Sequence, residues 1–205
     1  MTVPAIRIVL ADDQALVRGG LAALLAMEED IDVVAEVGRG DELEDAVTRL
    51  RPDVCVVDIE MPGGDGITVT SRIREAFPEV RVLIVTTFGR PGYVSRALAA
   101  GAGGFVVKDT PARELAQAVR RVHRGETVVD PDLVRDSMMS GPDPLTPREK
   151  DVLREALAGA RVADIAAALH LSQGTVRNHL SSAIAKTHTS TRAEAAHEAR
   201  LRGWL

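Results

Sequence analysis

The chain is poor in the residues that cross-link secreted proteins or bind metals through sulfur, since its 205 residues include one cysteine. Cys55 alone excludes an internal disulfide and a cysteine-rich metal site, and its place in an apolar run favours a buried side chain. No apolar run approaches the roughly 20 residues of a membrane-spanning helix. The first residues lack a basic segment followed by an apolar one, so no secretory signal is visible. We therefore expect a cytoplasmic protein with no membrane partner.

Aromatic residues are also scarce, and the net charge of −5 is unevenly distributed. From Leu145 onward, nine Lys and Arg residues stand against six Asp and Glu residues, a net charge of +3, which leaves −8 on the first 144 residues. This asymmetry predicts two domains with different partners, and it makes nucleic acid a candidate partner of the second.

Short apolar runs alternate with segments of helical apolar spacing five times before residue 125. This alternation predicts five β-α units, with a parallel sheet covered by helices on both faces. Because such crossovers are right-handed, we expect a doubly wound α/β fold with strand order 2-1-3-4-5. The predicted strands are 7–11, 31–37, 54–58, 81–86 and 104–107, and the predicted helices are 15–27, 43–50, 67–77, 93–100 and 111–124.

The pattern changes after residue 125. Proline and glycine interrupt residues 126–144, which we interpret as a linker with one short helix around 133–138. Four helices are predicted beyond it, the first opened by Thr146, Pro147 and Glu149 in the order of a capping box. The others are predicted at 161–169, 172–187 and 192–202. The predicted domains are 1–125 and 145–205, joined by the linker 126–144.

Five side chains that could take part in chemistry lie at the ends of four predicted strands. Asp12 and Asp13 follow the first strand and Asp58 ends the third, so three carboxylates converge at the point where the strand order reverses. Clustered carboxylates repel one another unless a cation lies between them, and hard oxygen ligands suit Mg²⁺. Thr86 ends the fourth strand, and Lys108 follows the fifth.

A carboxylate nucleophile, a divalent cation, a hydroxyl and an ammonium together fit phosphoryl transfer to an aspartate. In this hypothesis Asp58 accepts the phosphoryl group, Lys108 neutralises charge on its oxygens, and Thr86 hydrogen-bonds one of them. Each residue also has a simpler interpretation. Asp12 or Asp13 could cap a helix, and the others could be ordinary strand and surface residues. Their joint position at one edge favours the site.

These residues, with the stretch Asp-Ile-Glu-Met-Pro-Gly-Gly-Asp-Gly that begins at Asp58, resemble the receiver domain of bacterial two-component response regulators over residues 5–125. The resemblance implies a flavodoxin-like receiver in which a sensor histidine kinase phosphorylates Asp58. It also implies that Asp13, Asp58 and the backbone carbonyl of Glu60 bind Mg²⁺. Asp12 would act mainly through a metal-bound water.

The same resemblance assigns the switch residues of the receiver. Thr86 would move toward the phosphate, and Phe105 would be the aromatic residue that repacks. The chain departs from the family pattern at two places. Asp109 follows Lys108, where many receivers have proline. Thr87 is larger than the small residue often found beside the switch residue, which bears on access to the phosphoryl group.

The third helix of the second domain has two faces. One carries a predicted core stripe of Val176, Leu180, Ala183 and Ile184. On the other, Arg177 can pair with guanine and Asn178 with adenine in the major groove, and Ser181 lies beside them. Predicted phosphate contacts are Thr175, His179 and Lys186. An amphipathic helix with a solvated face is the alternative interpretation of this helix taken alone.

Motifs around this helix resemble the LuxR-type helix-turn-helix of NarL/FixJ regulators, from Leu145 to Leu201. They are Leu-Thr-Pro-Arg-Glu at 145–149, Asp-Ile-Ala at 164–166 and Gly-Thr-Val-Arg-Asn-His at 174–179. The resemblance makes 172–187 the recognition helix. His188 replaces a glycine at the helix end, where a positive φ is expected and histidine is tolerated. The last four residues resemble the DesR-like branch.

The sequence therefore predicts a transcriptional response regulator. Phosphorylation of Asp58 is expected to promote homodimerisation and binding to a double-stranded DNA operator, with RNA polymerase as a further candidate partner. No reaction is expected beyond self-phosphorylation and dephosphorylation. The main alternative is the same regulator working without phosphorylation. A Mg²⁺-dependent phosphatase of the haloacid-dehalogenase type is remote, because Gln14 and Ala15 occupy the positions where it needs a second aspartate.

Overall fold

A computed structural model describes residues 4–87, 91–130, 133 and 143–205. It divides the chain into two compact units, one of Met1–Gly89 with Val94–Arg135 and one of Arg90–Tyr93 with Asp136–Leu205. The short helix predicted around 133–138 lies, apart from Leu133, outside the described residues. Within the described part of the chain, none of the helices has both the length and the apolar character to cross a membrane.

The first unit alternates strands and helices as predicted. Its strands are β1 Ile6–Ala11, β2 Ile31–Val37, β3 Val54–Val57, β4 Arg81–Thr86, β5 Gly104–Val107 and β6 Val128–Val129. Its helices are α1 Ala15–Leu25, α2 Gly40–Leu50, α3 Gly66–Ala76, α4 Pro91–Ala99, of which the part from Val94 onward belongs to this unit, and α5 Ala112–His123. The bounds of β2, β4 and β5 are those predicted, and α1 ends two residues early.

The strands form one parallel sheet in the order β2-β1-β3-β4-β5-β6. The predicted order is confirmed for five strands, but the prediction of five strands in total was wrong. β6 adds a sixth at the β5 edge, where Val128 donates its N–H to the Gly103 carbonyl at 3.0 Å. A strand of two residues after a glycine turn is too short to show a pattern of apolar residues in the sequence. It was therefore included in the predicted linker.

Register places the functional residues at one edge. Ala11 pairs with Val57, Val57 with Ile84, and Thr86 with Val107, so the strands end nearly level. Alternate residues point to opposite faces. On one face Leu10, Val56, Val85 and their neighbours pack against α1 and α5 in a continuous core. Burial on both faces explains why β3 is apolar throughout.

The second unit is helical, with α6 Pro147–Leu157, α7 Val162–Ala168, α8 Gln173–Thr187 and α9 Arg192–Leu201. The predicted capping box is present: the Thr146 hydroxyl accepts from the Glu149 N–H, and the Glu149 carboxylate accepts from the Thr146 N–H. Ser172 caps α8, since its side chain accepts from the Thr175 N–H. The helices share a core that includes Leu153, Ile165 and Trp204.

Candidate functional site

The acidic site lies at the carboxyl edge of the sheet. Asp12 and Asp58 are only 3 % and 5 % exposed, whereas Asp13 is exposed to solvent. One carboxylate oxygen from each of the three residues lies within 4.8 Å of the others. Such a spacing of hard oxygen ligands could hold one small divalent cation. The structure therefore brings together the three carboxylates that the sequence placed on neighbouring strands.

Lys108 enters the same cluster from the end of β5. Its ammonium nitrogen lies 2.7 Å from Oδ2 of Asp12 and 2.9 Å from Oδ2 of Asp58, and all three side chains are largely buried. The Lys108 backbone N–H donates to the Thr86 carbonyl at 2.8 Å, which ties the lysine to the end of β4. The solvated-lysine interpretation is therefore wrong.

Burial and charge set the ionisation of the cluster. Burial raises the pKa of the Asp58 carboxyl, the Lys108 ammonium opposes this rise, and repulsion by Asp12 adds to it. For Lys108, burial lowers the pKa, but hydrogen bonds to Asp12 and Asp58 outweigh burial and raise it. The ammonium is therefore firmly protonated, and two buried carboxylates share one cation. A further cation near the third carboxylate would relieve the remaining negative charge.

The backbone around Asp58 is fixed by the loop that follows it. Oδ1 of Asp58 accepts from the Ile59 N–H at 2.7 Å, and the Gly66 N–H donates to the Ile59 carbonyl at 2.9 Å. Asp65 caps α3 through a hydrogen bond from the Ile67 N–H. This loop therefore closes tightly on the end of β3, and the second carboxylate oxygen of Asp58 is the one that faces Lys108.

The remaining predicted residues of this site lie where the sequence put them. Thr86 is buried at the end of β4, and Phe105 is fully buried within β5. The side chain of Glu60 is exposed in the loop after Asp58. The roles assigned to these three residues stay predictions. Sequence reasoning missed Arg18 on α1, whose guanidinium donates to the Asp12 carbonyl and so supports the backbone at the site.

The candidate DNA-binding surface is formed by α7 and α8. The turn between them includes His170, which has a φ of 54°, and Ser172, whose hydroxyl accepts from the Thr175 N–H at 3.0 Å. The predicted base-contact residues Arg177, Asn178 and Ser181 are exposed on α8, and Thr175 and His179 are partly exposed. The predicted core stripe is buried, with Ile184 partly so. His188 ends the helix at a φ of 55°, as predicted.

Lys186 differs from the other predicted DNA contacts. Its ammonium lies 2.9 and 2.8 Å from the two carboxylate oxygens of Glu149, which is 4 % exposed. The structure thus gives this lysine a partner inside the domain, which the prediction of a phosphate contact did not foresee. The sequence identified Glu149 only as a capping-box residue and gave no indication that it also pairs with Lys186.

Two family models match the chain, one for each unit. The model described as "Response regulator receiver domain" matches residues 8–120, and that for "Bacterial regulatory proteins, luxR family" matches residues 143–199. The chain belongs to the response regulators with a LuxR-type helix-turn-helix. The fold and site thus define a two-component transcriptional regulator that binds DNA, as the sequence predicted.

Similar proteins cover nearly the whole chain. The "Uncharacterized transcriptional regulatory protein YvfU" of Bacillus subtilis (strain 168) is 42% identical over 98% of this chain and 100% of its own length. "Transcriptional regulatory protein DesR" of the same organism is 39% identical over 98% of this chain and 99% of its own. These similarities agree with the expected DesR-like branch.

Solved structures that resemble the chain also cover nearly all of it. A structure titled "Structure of two RcsB dimers bound to two parallel DNAs" is 26% identical, covers 95% of this chain and 98% of its own, and has a TM-score of 0.65. The response regulator ChrA, described as part of a heme-sensing two-component system, is 34% identical over 99% of this chain and 100% of its own, with a TM-score of 0.60.

Proposed function

We propose that Asp58 accepts a phosphoryl group from a sensor histidine kinase and that this modification controls operator binding. The observation that carries the proposal is the buried carboxylate of Asp58 held 2.9 Å from Lys108, beside Asp12 and Asp13. A carboxylate oxygen of Asp58 attacks the donor phosphorus, the phosphorus–donor bond breaks, and an aspartyl phosphate results. Beyond this self-phosphorylation and the hydrolysis that reverses it, no turnover of another substrate is proposed.

The residues around Asp58 fit a Mg²⁺ ion. Asp12, Asp13 and Asp58 supply hard oxygen ligands, and the backbone carbonyl of Glu60 is the further ligand that the family pattern suggests. When bound, Mg²⁺ neutralises charge on the phosphoryl oxygens. Lys108 stays close through its bond to Asp12 and transfers its other hydrogen bond from Asp58 to the phosphoryl group. Thr86 and Phe105 then change position, and their movement extends the conformational change from Asp58 to the surface of the receiver domain.

A mass measurement tests the phosphorylation. The full chain is incubated with Mg²⁺ and acetyl phosphate and weighed intact, and an added mass of one phosphoryl group is expected. Asp58→Asn should gain none. Asp109→Asn, which removes an exposed acid beside Lys108, should gain it as the wild type does. The absence of any adduct, or an adduct on Asp58→Asn, would exclude this mechanism and favour the regulator that works without phosphorylation.

We further propose that α8 enters the major groove and that Arg177 and Asn178 contact bases, with Ser181 beside them. Their exposure on α8 supports this assignment, and we propose the partly exposed Thr175 and His179 as phosphate contacts. Arg177→Ala should relax the base preference at one position of the operator by about 1–3 kcal/mol. A uniform loss of affinity over all sequences would contradict base contact.

We infer that phosphorylation favours a homodimer. In the first unit, three large apolar side chains on α1 and in the turn after it are exposed: Leu16 by 90 %, Leu24 by 45 % and Met27 by 79 %. Covering such exposed apolar side chains with a second copy of the chain would stabilise a dimer, because apolar surface is removed from water. Introducing Leu24→Glu should leave phosphorylation intact and reduce the dimer fraction in sedimentation, whereas unchanged dimerisation would place the interface elsewhere. RNA polymerase is a further proposed partner.

A further inference from the structure

Glu149 is the one charged residue buried below 5 % exposure within the second unit as far as it is described. It occupies the third position of α6, where its carboxylate accepts from the Thr146 N–H at 2.7 Å and completes the capping box. The capping box uses one hydrogen bond of this carboxylate, whereas a buried charge requires further polar or charged partners. Burial of this carboxylate therefore indicates a second function.

That function is visible in its other hydrogen bonds. The Ser182 hydroxyl donates to Oε1 at 2.7 Å, and the Lys186 ammonium donates to both oxygens at 2.9 and 2.8 Å. Ser182 and Lys186 are one helical turn apart on α8 and more than thirty residues from Glu149 in the chain. One carboxylate thus joins the start of α6 to the second half of the helix that carries the candidate base contacts.

These bonds act on the rotation of α8 about its own axis. Ser182 directly follows Ser181, so a rotation that breaks the bond to Glu149 also turns Ser181 and, one turn earlier, Arg177. The buried residues of α8 are mostly small, since Leu180 is accompanied by Val176, Ala183 and Thr187. Small side chains restrict rotation less than large ones that interlock. The contact of Glu149 with Ser182 and Lys186 is therefore well placed to fix the rotation of α8 about its axis.

We infer that Glu149 is a positioning residue for DNA reading, and that Lys186 serves it as an internal counter-ion rather than contacting phosphate. Recognition groups must be held within about 0.5 Å and 10–20° of their productive geometry. The ammonium of Lys186 is held by two charged oxygens, so its release to a phosphate would leave a buried carboxylate without a cation. This inference rests on the DNA-binding function and on α8 as the recognition helix.

The test uses the full chain and an operator selected by the wild-type protein from a random library of duplex DNA. Affinities for that operator and for a random duplex are measured across salt concentrations, at a temperature where thermal unfolding shows every variant folded. The variants are Glu149→Gln, Lys186→Met, their combination and Lys186→Arg. Lys150→Met is the matched control, because Lys150 also lies on α6 and pairs with an acid, Asp143, of the same unit.

Positioning predicts a selective loss. Glu149→Gln and Lys186→Met should each weaken operator binding by about tenfold. Lys186→Met leaves the buried carboxylate unpaired, and Glu149→Gln removes the charge that holds the partly exposed Lys186 ammonium against α6. For Lys186→Met, binding to random DNA and the slope against salt should match those of Lys150→Met, which also loses one positive charge. For Glu149→Gln, which loses a negative charge, binding to random DNA should not weaken. Lys186→Arg should retain operator affinity, and the double variant should recover part of it, because neither charge is then left alone.

Other results would overturn the inference. If Lys186→Met weakens both duplexes alike and lowers the salt slope by about one more than Lys150→Met does, Lys186 contacts phosphate. If the operator affinity is unchanged in Glu149→Gln and Lys186→Met, the core alone positions α8. Failure of the wild type to select any operator would instead count against the DNA-binding function, and it is recognised before any variant is made.

Discussion

Gly66 offers a direct test of how tightly the loop after Asp58 is packed. It begins α3, and its N–H donates to the Ile59 carbonyl. A β-carbon at this position would overlap the carbonyl oxygen of Asp58 and lie 3.0 Å from its carbonyl carbon and 3.1 Å from the Cα of Ile59. The atoms that would clash belong to the backbone of Asp58 and Ile59. Movement of a flexible side chain therefore cannot relieve the clash in Gly66→Ala.

The size of the effect follows from this geometry. The backbone φ of Gly66 is not in the left-handed region, so the substitution is opposed by crowding and not by dihedral strain. Overpacking that forces backbone shifts costs about 1–3 kcal/mol. The displaced backbone carries Asp58 itself, so we expect Gly66→Ala to lower both the free energy of unfolding and the rate of labelling by acetyl phosphate.

Denaturant unfolding and intact-mass labelling are the assays, and Gly19→Ala is the matched control. Gly19 lies within α1, and a β-carbon added there would have no heavy atom of a neighbouring segment within 4 Å. Alanine at this position should therefore stabilise by about 0.5–1 kcal/mol and leave labelling unchanged. The two glycine-to-alanine substitutions should thus have opposite signs. Stabilisation by Gly66→Ala, or wild-type labelling of that variant, would refute the close packing of the loop on Asp58.

Three further predictions concern charge and backbone strain. Lys108→Met should raise the pKa of Asp58 further and slow labelling by about a hundredfold, measured by mass spectrometry. Burial raises the pKa of Glu149, but hydrogen bonds from Lys186 and its other partners lower it to about 2. The free energy of unfolding, taken from unfolding curves followed by circular dichroism, should therefore fall by about 3 kcal/mol as the pH falls from about 4.5 to 2. Glu149→Gln should show little of this loss. His188→Gly should stabilise by about 1 kcal/mol in denaturant unfolding, because glycine adopts its positive φ more readily.

Much of the receiver was predictable because its signals are local. The apolar run at β3 and the breaks at Pro52 and Pro78 define element ends without knowledge of the fold. Once the strand order follows from right-handed crossovers, Asp58 and Lys108 must meet at one edge. The joint placement of the acids and the lysine was therefore predictable, even though each residue alone has a simpler interpretation.

What the sequence did not reveal depends on contacts between distant segments. β6 is two residues long, and only its pairing with Gly104 and Phe105 makes it a strand. The Glu149–Lys186 pair joins residues 37 positions apart, and Lys186 has the same sequence appearance as a phosphate-binding lysine. The burial of Glu149 supports the internal role that we propose for Lys186, and this burial follows from tertiary packing, not from a motif.

The measurement that most directly tests the central claim compares operator affinity before and after phosphorylation. A duplex selected by the phosphorylated wild type is titrated with the full chain, with and without acetyl phosphate and Mg²⁺, and with Asp58→Asn in parallel. We predict that phosphorylation tightens binding by the wild type and leaves Asp58→Asn unchanged. Equal affinities of the phosphorylated and unphosphorylated wild type, with labelling of Asp58 verified by mass, would contradict the claim that this aspartate controls DNA binding.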